Sequence, residues 1–168
     1  MKKYFFIILI FFISYSSHAT DGVYYLDVNF LLNNSSNGKK IINNLKKIND
    51  ENILKIKNYE NDLKNKENEI NKLKNIITEE ELNDKIEDLK KKIKLYNEKK
   101  DKIYKEYNVL KNQELETFFK KITPFIEEYM EINSIKLIIE KKNIFIANAN
   151  YDISEKLVYF LNEKQKND

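Results

Sequence analysis

Apolar residues recur every three or four positions from Lys39 to Ile132, in a stretch almost free of Gly and Pro, and this spacing predicts two long helices. In the first, Ile56, Tyr59, Leu63, Ile70, Leu73 and Ile77 form a three-four ladder, with Lys66 on its one polar rung. In the second, Leu82, Ile86, Leu89, Ile93, Tyr96, Ile103, Tyr107 and Leu110 repeat the rule, with Lys100 as the polar rung. Sustained a/d heptads of this kind mark a coiled-coil seam rather than the broad apolar face of a globular helix.

Phase separates one helix from the other. Extending the first ladder past Ile77 lands on Glu80, Asp84, Glu87 and Lys91, whereas the second ladder restarts at Leu82. Thr78-Glu79-Glu80-Glu81 lies at the break and reads as a capping box, with Ile77 and Leu82 at the positions of a hydrophobic staple. A short break with a restart signal predicts that the second helix folds back on the first. Each arm would be roughly 60 Å long at 1.5 Å per residue.

At the arm bases the ladder changes step. Leu45 to Ile56 and Tyr107 to Phe118 are eleven-residue intervals instead of seven, which relaxes a left-handed supercoil in both helices at comparable heights. From Phe118 the apolar face widens to include Phe119, Ile122, Phe125, Ile126, Tyr129 and Ile132, so this portion is expected to pack on a body. Pro124 should kink the helix there, or restart it with Thr123 as cap, and marks the shoulder between arm and body.

The ends of the chain supply that body. Val23-Tyr24-Tyr25-Leu26-Asp27-Val28 suits a short strand, Phe30-Leu31-Leu32 makes a half-turn, and Ser35 or Ser36 caps the first arm. Two further strands are expected at Lys136 to Glu140 and Asn143 to Ala147, paired as a hairpin about Lys141 and Lys142. Asp152, with Glu155 as box partner, should start a last helix that buries Leu157, Val158, Phe160 and Leu161. Three strands are too few for a sheet with covered edges, and oligomerisation is the simplest remedy. The expected division is a signal peptide at 1–19, body at 20–40, arm hairpin at 41–119 with its tip near 78, and body again at 120–168.

Composition narrows the chemistry. The chain has no Cys and one His, His18, which excludes disulfides and thiolate metal sites. Its two Gly stand alone, so no glycine-rich phosphate loop is present. Two Lys, an apolar run from Phe5 to Ile13 and the small residues Ser17 and Ala19 read as a cleavable secretory signal; the run is shorter than the ~20 residues of a membrane span. Removing it subtracts Lys2 and Lys3 and takes the formal charge from +3 to +1. Interspersed charges with so little net basicity make a poor nucleic-acid binder. Glu79-Glu80-Glu81 and Glu127-Glu128 read as a helix cap and a solvated face rather than catalytic pairs, and Tyr24, Tyr25 and Tyr151 as packing residues.

The order of parts resembles the Skp/OmpH family of periplasmic chaperones for outer membrane proteins. The segment Lys136 to Asn148, Tyr151-Asp152-Ile153-Ser154 and the closing Leu161-Asn162 follow the family's hairpin, Asp-Ile-Thr segment and terminal helix. Tyr25-Leu26-Asp27 through Leu32-Asn33 and Gly38-Lys39-Lys40 follow its first strand and helix entry, and Ile77-Thr78-Glu79-Glu80 its arm tip. The resemblance implies a mainly α fold with a small β body: a long antiparallel coiled-coil hairpin inserted in a small β-barrel-type trimerisation body. It implies a homotrimer that encloses unfolded outer membrane proteins between its arms, in the periplasm, without nucleotide, cofactor or catalysis. This chain has no Arg and is nearly neutral once the leader is removed, whereas well-known members are strongly basic, so the resemblance leaves lipopolysaccharide or membrane contact open.

A holding protein needs many weak contacts and no catalytic atom. Leu54, Leu95, Tyr104 and Val109 lie beside the seam and are the candidates for client binding, set against the ordinary occurrence of scattered exposed apolar residues. Leu115 and Phe119 are read as packing near the body. A rival reading is an exported coiled-coil spacer or scaffold of the cell envelope, for which the strands and last helix at the chain ends would be superfluous.

Overall fold

A computed structural model describes residues 22–166, and the expected signal peptide lies outside the described residues. In chain order the elements are β1 (Val23–Leu26), α1 (Val28–Asn34), α2 (Ser36–Leu73), α3 (Glu79–Ile132), β2 (Leu137–Glu140) and α4 (Ser154–Lys164). Short 3-10 turns at Lys141–Asn143 and Ala149–Tyr151 lie between β2 and α4.

Each helix start has a local cause. Asp27 caps α1 by accepting from the Phe30 amide at 2.9 Å, which extends the expected half-turn into two turns of helix. Ser35 ends α1 and caps α2, accepting from the Gly38 amide at 3.2 Å. At the far end the Thr78 amide donates to Glu81 Oε2 at 3.0 Å and the Glu81 amide donates to Thr78 Oγ1 at 3.3 Å, so both bonds of a capping box start α3.

α2 and α3 run antiparallel. Tyr96 donates to Glu60 Oε1 and Lys99 Nζ lies 4.7 Å from the centre of the Tyr59 ring. Nearer the tip, Lys66 and Ile70 meet Lys85 and Leu89; nearer the body, Leu45 and Asn49 meet Tyr107 and Lys111. Partners that rise along one helix fall along the other. The two eleven-residue steps overlap where Leu45 and Tyr107 line the same groove.

The core lies at the root of this pair, where Leu26, Leu31, Phe118, Ile122, Tyr129, Ile135, Ile153, Leu157 and Leu161 are buried together. Val158 and Phe160 pack against its margin, and Phe160 meets Tyr129 edge-on at 5.3 Å. Ile132, expected on the packed face of α3, is instead exposed at the helix end.

Three expectations need correction. The hairpin does not form within the chain: β2 pairs in parallel with β1, from Val23↔Leu137 to Leu26↔Glu140, and Asn143 to Ala147 is not a strand. The Lys141–Asn143 turn, closed by the Ile144 amide on the Lys141 carbonyl at 3.1 Å, leads the chain off β2 and leaves Phe145 and Ile146 at 103% and 83% exposure. Strand propensity there is real, but a strand exists only with a partner. Second, of the two alternatives at Pro124, a kink or a restart, the restart at Thr123 does not occur; α3 runs through Pro124, and Thr123 Oγ1 donates back to the Phe119 carbonyl at 2.8 Å. Proline removes a single donor, while Ile122, Phe125, Ile126 and Tyr129 hold both sides of it against the core.

Third, Asp152 does not cap α4 with Glu155. Its carboxylate accepts from the Ser154 amide at 2.9 Å and the Ser154 hydroxyl at 2.5 Å, and Ser154 Oγ accepts from the Asp27 amide at 2.8 Å. Lys141 Nζ closes the group, 3.3 Å from Asp152 and 3.7 Å from Asp27. These bonds, with the Ile153 amide on the Tyr25 carbonyl at 3.0 Å, tie the end of the chain to its beginning. Burial pushes the Asp152 carboxyl up, but hydrogen bonds from Ser154 and Lys141 outweigh it and the net shift is downward. A carboxyl lowered in the folded state contributes stability above its unfolded pKa of about 3.9, lost as pH falls through that value toward the folded one. Asp152→Asn should therefore lower the melting temperature near neutral pH, with the gap to the parent narrowing as pH falls below about 4, the ordinary carboxyl value. A gap that stays constant through that fall contradicts the assignment.

Candidate functional site

The antiparallel pair of α2 and α3 is too thin to bury its own seam. Ile56 is buried, most ladder residues are half-buried, and Tyr59 and Ile93 are left exposed, because a two-helix seam is covered from one side only. Outside the seam, the four candidates Leu54, Leu95, Tyr104 and Val109 are 59%, 53%, 49% and 47% exposed.

They do not converge on one pocket. Leu95 shares a shallow cleft with Tyr59, Leu63, Lys92, Tyr96 and Lys99, while Val109 sits in another with Lys102, Lys105 and Leu110. Leu95 and Val109 are two heptads apart and share one flank of α3, separated by roughly 21 Å at 1.5 Å per residue. Tyr104, which follows the seam residue Ile103, faces the other flank. Leu54 lies on α2. The arm therefore presents separate apolar spots among charged residues.

Sequence reasoning passed over Ile53 and Ile76, both well exposed. Ile53 was legible as an apolar residue off the ladder, next to Leu54. Ile76 stands at the tip, beside Ile77, Thr78, Glu81 and Leu82, where hydrogen bonds from the Thr78 amide and hydroxyl hold the Glu81 carboxyl below its usual range.

A larger feature lies at the arm root. A groove of about 870 Å³ is walled by Val28 and Leu32 of α1, Ile42 and Leu45 of α2, and Tyr107, Leu115 and Phe119 of α3. Lys46, Asn49 and Lys111 lie along it, and Glu140 and Lys142 form its edge on the body side. Leu115 and Phe119 line this groove, and Phe119 also packs against the margin of the core. Among the described residues no group of His, Cys, Asp or Glu could hold a metal ion, and no helix is long and apolar enough to cross a membrane.

Residues 22–161 match a family model described as outer membrane protein (OmpH-like). The chain belongs to the OmpH-like family. That match spans both ends of the body and the whole helical pair, the parts whose order in the sequence carries the resemblance. Among solved structures, a crystal structure from Caulobacter crescentus CB15, described as a candidate outer membrane chaperone (OmpH-like), shares the fold with a TM-score of 0.73. The match covers 85% of each chain at 18% identity. No curated protein matches the sequence closely enough to count as a relative. This OmpH-like chain is mostly helical with a small parallel two-stranded sheet.

Proposed function

We propose that this protein is an ATP-independent, non-enzymatic holdase of the periplasm that keeps unfolded outer membrane proteins from aggregating by contact with its arms. The observation that carries the reading is the match of residues 22–161 to the OmpH-like family, joined to arms whose off-seam apolar residues face solvent. Separate weak contacts suit a protein that must release its client, since retention then comes from their number.

The proposal includes assembly as a homotrimer through the body, with the helical pair acting as a coiled-coil arm and Pro124 at its shoulder. Support comes from β2, whose only strand partner among the described residues is β1, and from Phe145 and Ile146, which none of the described residues cover. A small barrel closed by three chains would supply partners for both. Sedimentation of the purified protein should give three times the chain mass.

The arms are tested by replacing Leu54, Leu95, Tyr104 and Val109 together with Ser. All four are exposed, so helicity and assembly mass should be unchanged. The mass of the complex formed with a urea-diluted outer membrane barrel protein should show fewer occupied assemblies. Full occupancy by the quadruple variant would remove these residues from the holding surface.

A further inference from the structure

We infer that the groove at the arm root binds an apolar segment of unfolded polypeptide that carries acidic side chains at its flank. This rests on the client-holding reading and gives it a site that the exposed spots of the arms do not provide.

The first ground is shape and lining. The volume of about 870 Å³ falls in the range of roughly 300–1,000 Å³ usual for ligand clefts. Three helices contribute Leu32, Ile42, Leu45, Tyr107, Leu115 and Phe119, so an occupant would exchange water for carbon on more than one side. The wall is braced from behind: Phe119 meets the buried Phe118 edge-on at 5.4 Å, and Leu45 is itself buried. Little ordering is left to be done on binding.

The second ground is charge. At the groove's edge Lys142 pairs with Glu140 at 2.7 Å, and the two cancel. Lys46 of α2 and Lys111 of α3 line the same groove, and among the described residues neither makes an ion pair. Two like charges without ion-pair partners along one apolar floor favour an occupant that brings carboxylates to them. The same sign argues against a second copy of this chain as occupant. The exposed apolar run Phe145 to Ala147, the candidate segment of such a copy, follows Lys141 and Lys142 and would bring more positive charge.

The test is fluorescence anisotropy with labelled peptides that share a Leu-Phe-rich centre and differ in flanks, either Asp/Glu or Lys. The acidic-flanked peptide should bind more tightly. Lys46→Glu with Lys111→Glu, both at exposed positions, should weaken it about tenfold, the effect of roughly 1.4 kcal/mol, and should tighten the Lys-flanked peptide. Leu115→Lys, which fills the groove with a charged chain, should weaken both peptides with the helical circular dichroism unchanged. Equal binding of the two peptides, indifference to the double charge reversal, or a change of assembly mass in Leu115→Lys showing a second copy in the groove would each overturn the assignment. The unfolded barrel protein is offered to the parent in parallel. If the parent holds it while the peptides show no charge preference, the groove site fails and the holdase reading stands; if the parent does not hold it, that reading fails whatever the peptides do.

Discussion

Replacing Leu157 or Leu161 by Ala is expected to destabilise the protein by about 2–5 kcal/mol per chain, the range for emptying a fully buried leucine site. Both side chains have no exposed surface. They are one turn apart on α4 and enter the core beside Leu31, Ile122 and Ile153, which come from α1, α3 and the segment bonded to β1. A cavity there lies where elements from the beginning, middle and end of the described residues pack together, and α3 cannot collapse into it without moving the arm root. The two losses should not add, since the residues share neighbours. Urea melts followed by circular dichroism measure both effects. An unchanged melting curve in both variants would put α4 in solvent.

The second large effect is expected at Gly38. A Cβ built on this residue would lie 2.0 Å from the Leu32 carbonyl oxygen, 2.7 Å from its carbon and 2.8 Å from Ser35 Oγ. A non-bonded carbon–oxygen contact needs roughly 3.3 Å, and the obstructing atoms are backbone and a capping hydroxyl, which cannot swing aside. Gly38→Ala must therefore push α1 away from the first turn of α2. That disturbs the cap at Ser35 and the bond from the Ser36 amide to Asn162 Oδ1 at 2.8 Å. A cost of about 1–3 kcal/mol is typical of such overpacking. Helix propensity alone predicts the opposite sign, because Ala is favoured over Gly within a helix by about 1 kcal/mol. A melt that moves upward in Gly38→Ala would show that the close approach of α1 and α2 is not required.

What was legible in the sequence was local. The two arms followed from a three-four ladder that needs no distant partner, and their reversal followed from a phase break together with Thr78 and Glu81 at capping-box spacing. Leu157 and Leu161 were legible for the same reason. The β part was not: the apolar run Ile144 to Ala147 has the composition of a strand but does not say which strand it would meet, and within one chain β1 meets β2 in parallel. Asp152 has the spacing of a cap to Glu155, yet Ser154 draws its carboxylate away because Ser154 is itself needed by the Asp27 amide. The ladder also overstated the burial of Tyr59 and Ile93, since heptad phase fixes which way a residue faces and not how well one neighbouring helix covers it. The groove was invisible because its walls come from α1, α2 and α3 together, and neither Lys46 nor Lys111 carries any local signature.

The central claim is that the protein holds unfolded clients without nucleotide by surface contact. The most direct measurement is light scattering of a urea-denatured outer membrane barrel protein diluted at neutral pH, with and without the purified protein, in the absence of ATP. Apolar spots set among nearly balanced charges predict strong suppression of scattering that weakens only modestly from low to high salt, because a screened, near-neutral surface has little long-range attraction to lose. Scattering that rises as fast with the protein as without it would contradict the holdase account and favour the envelope spacer.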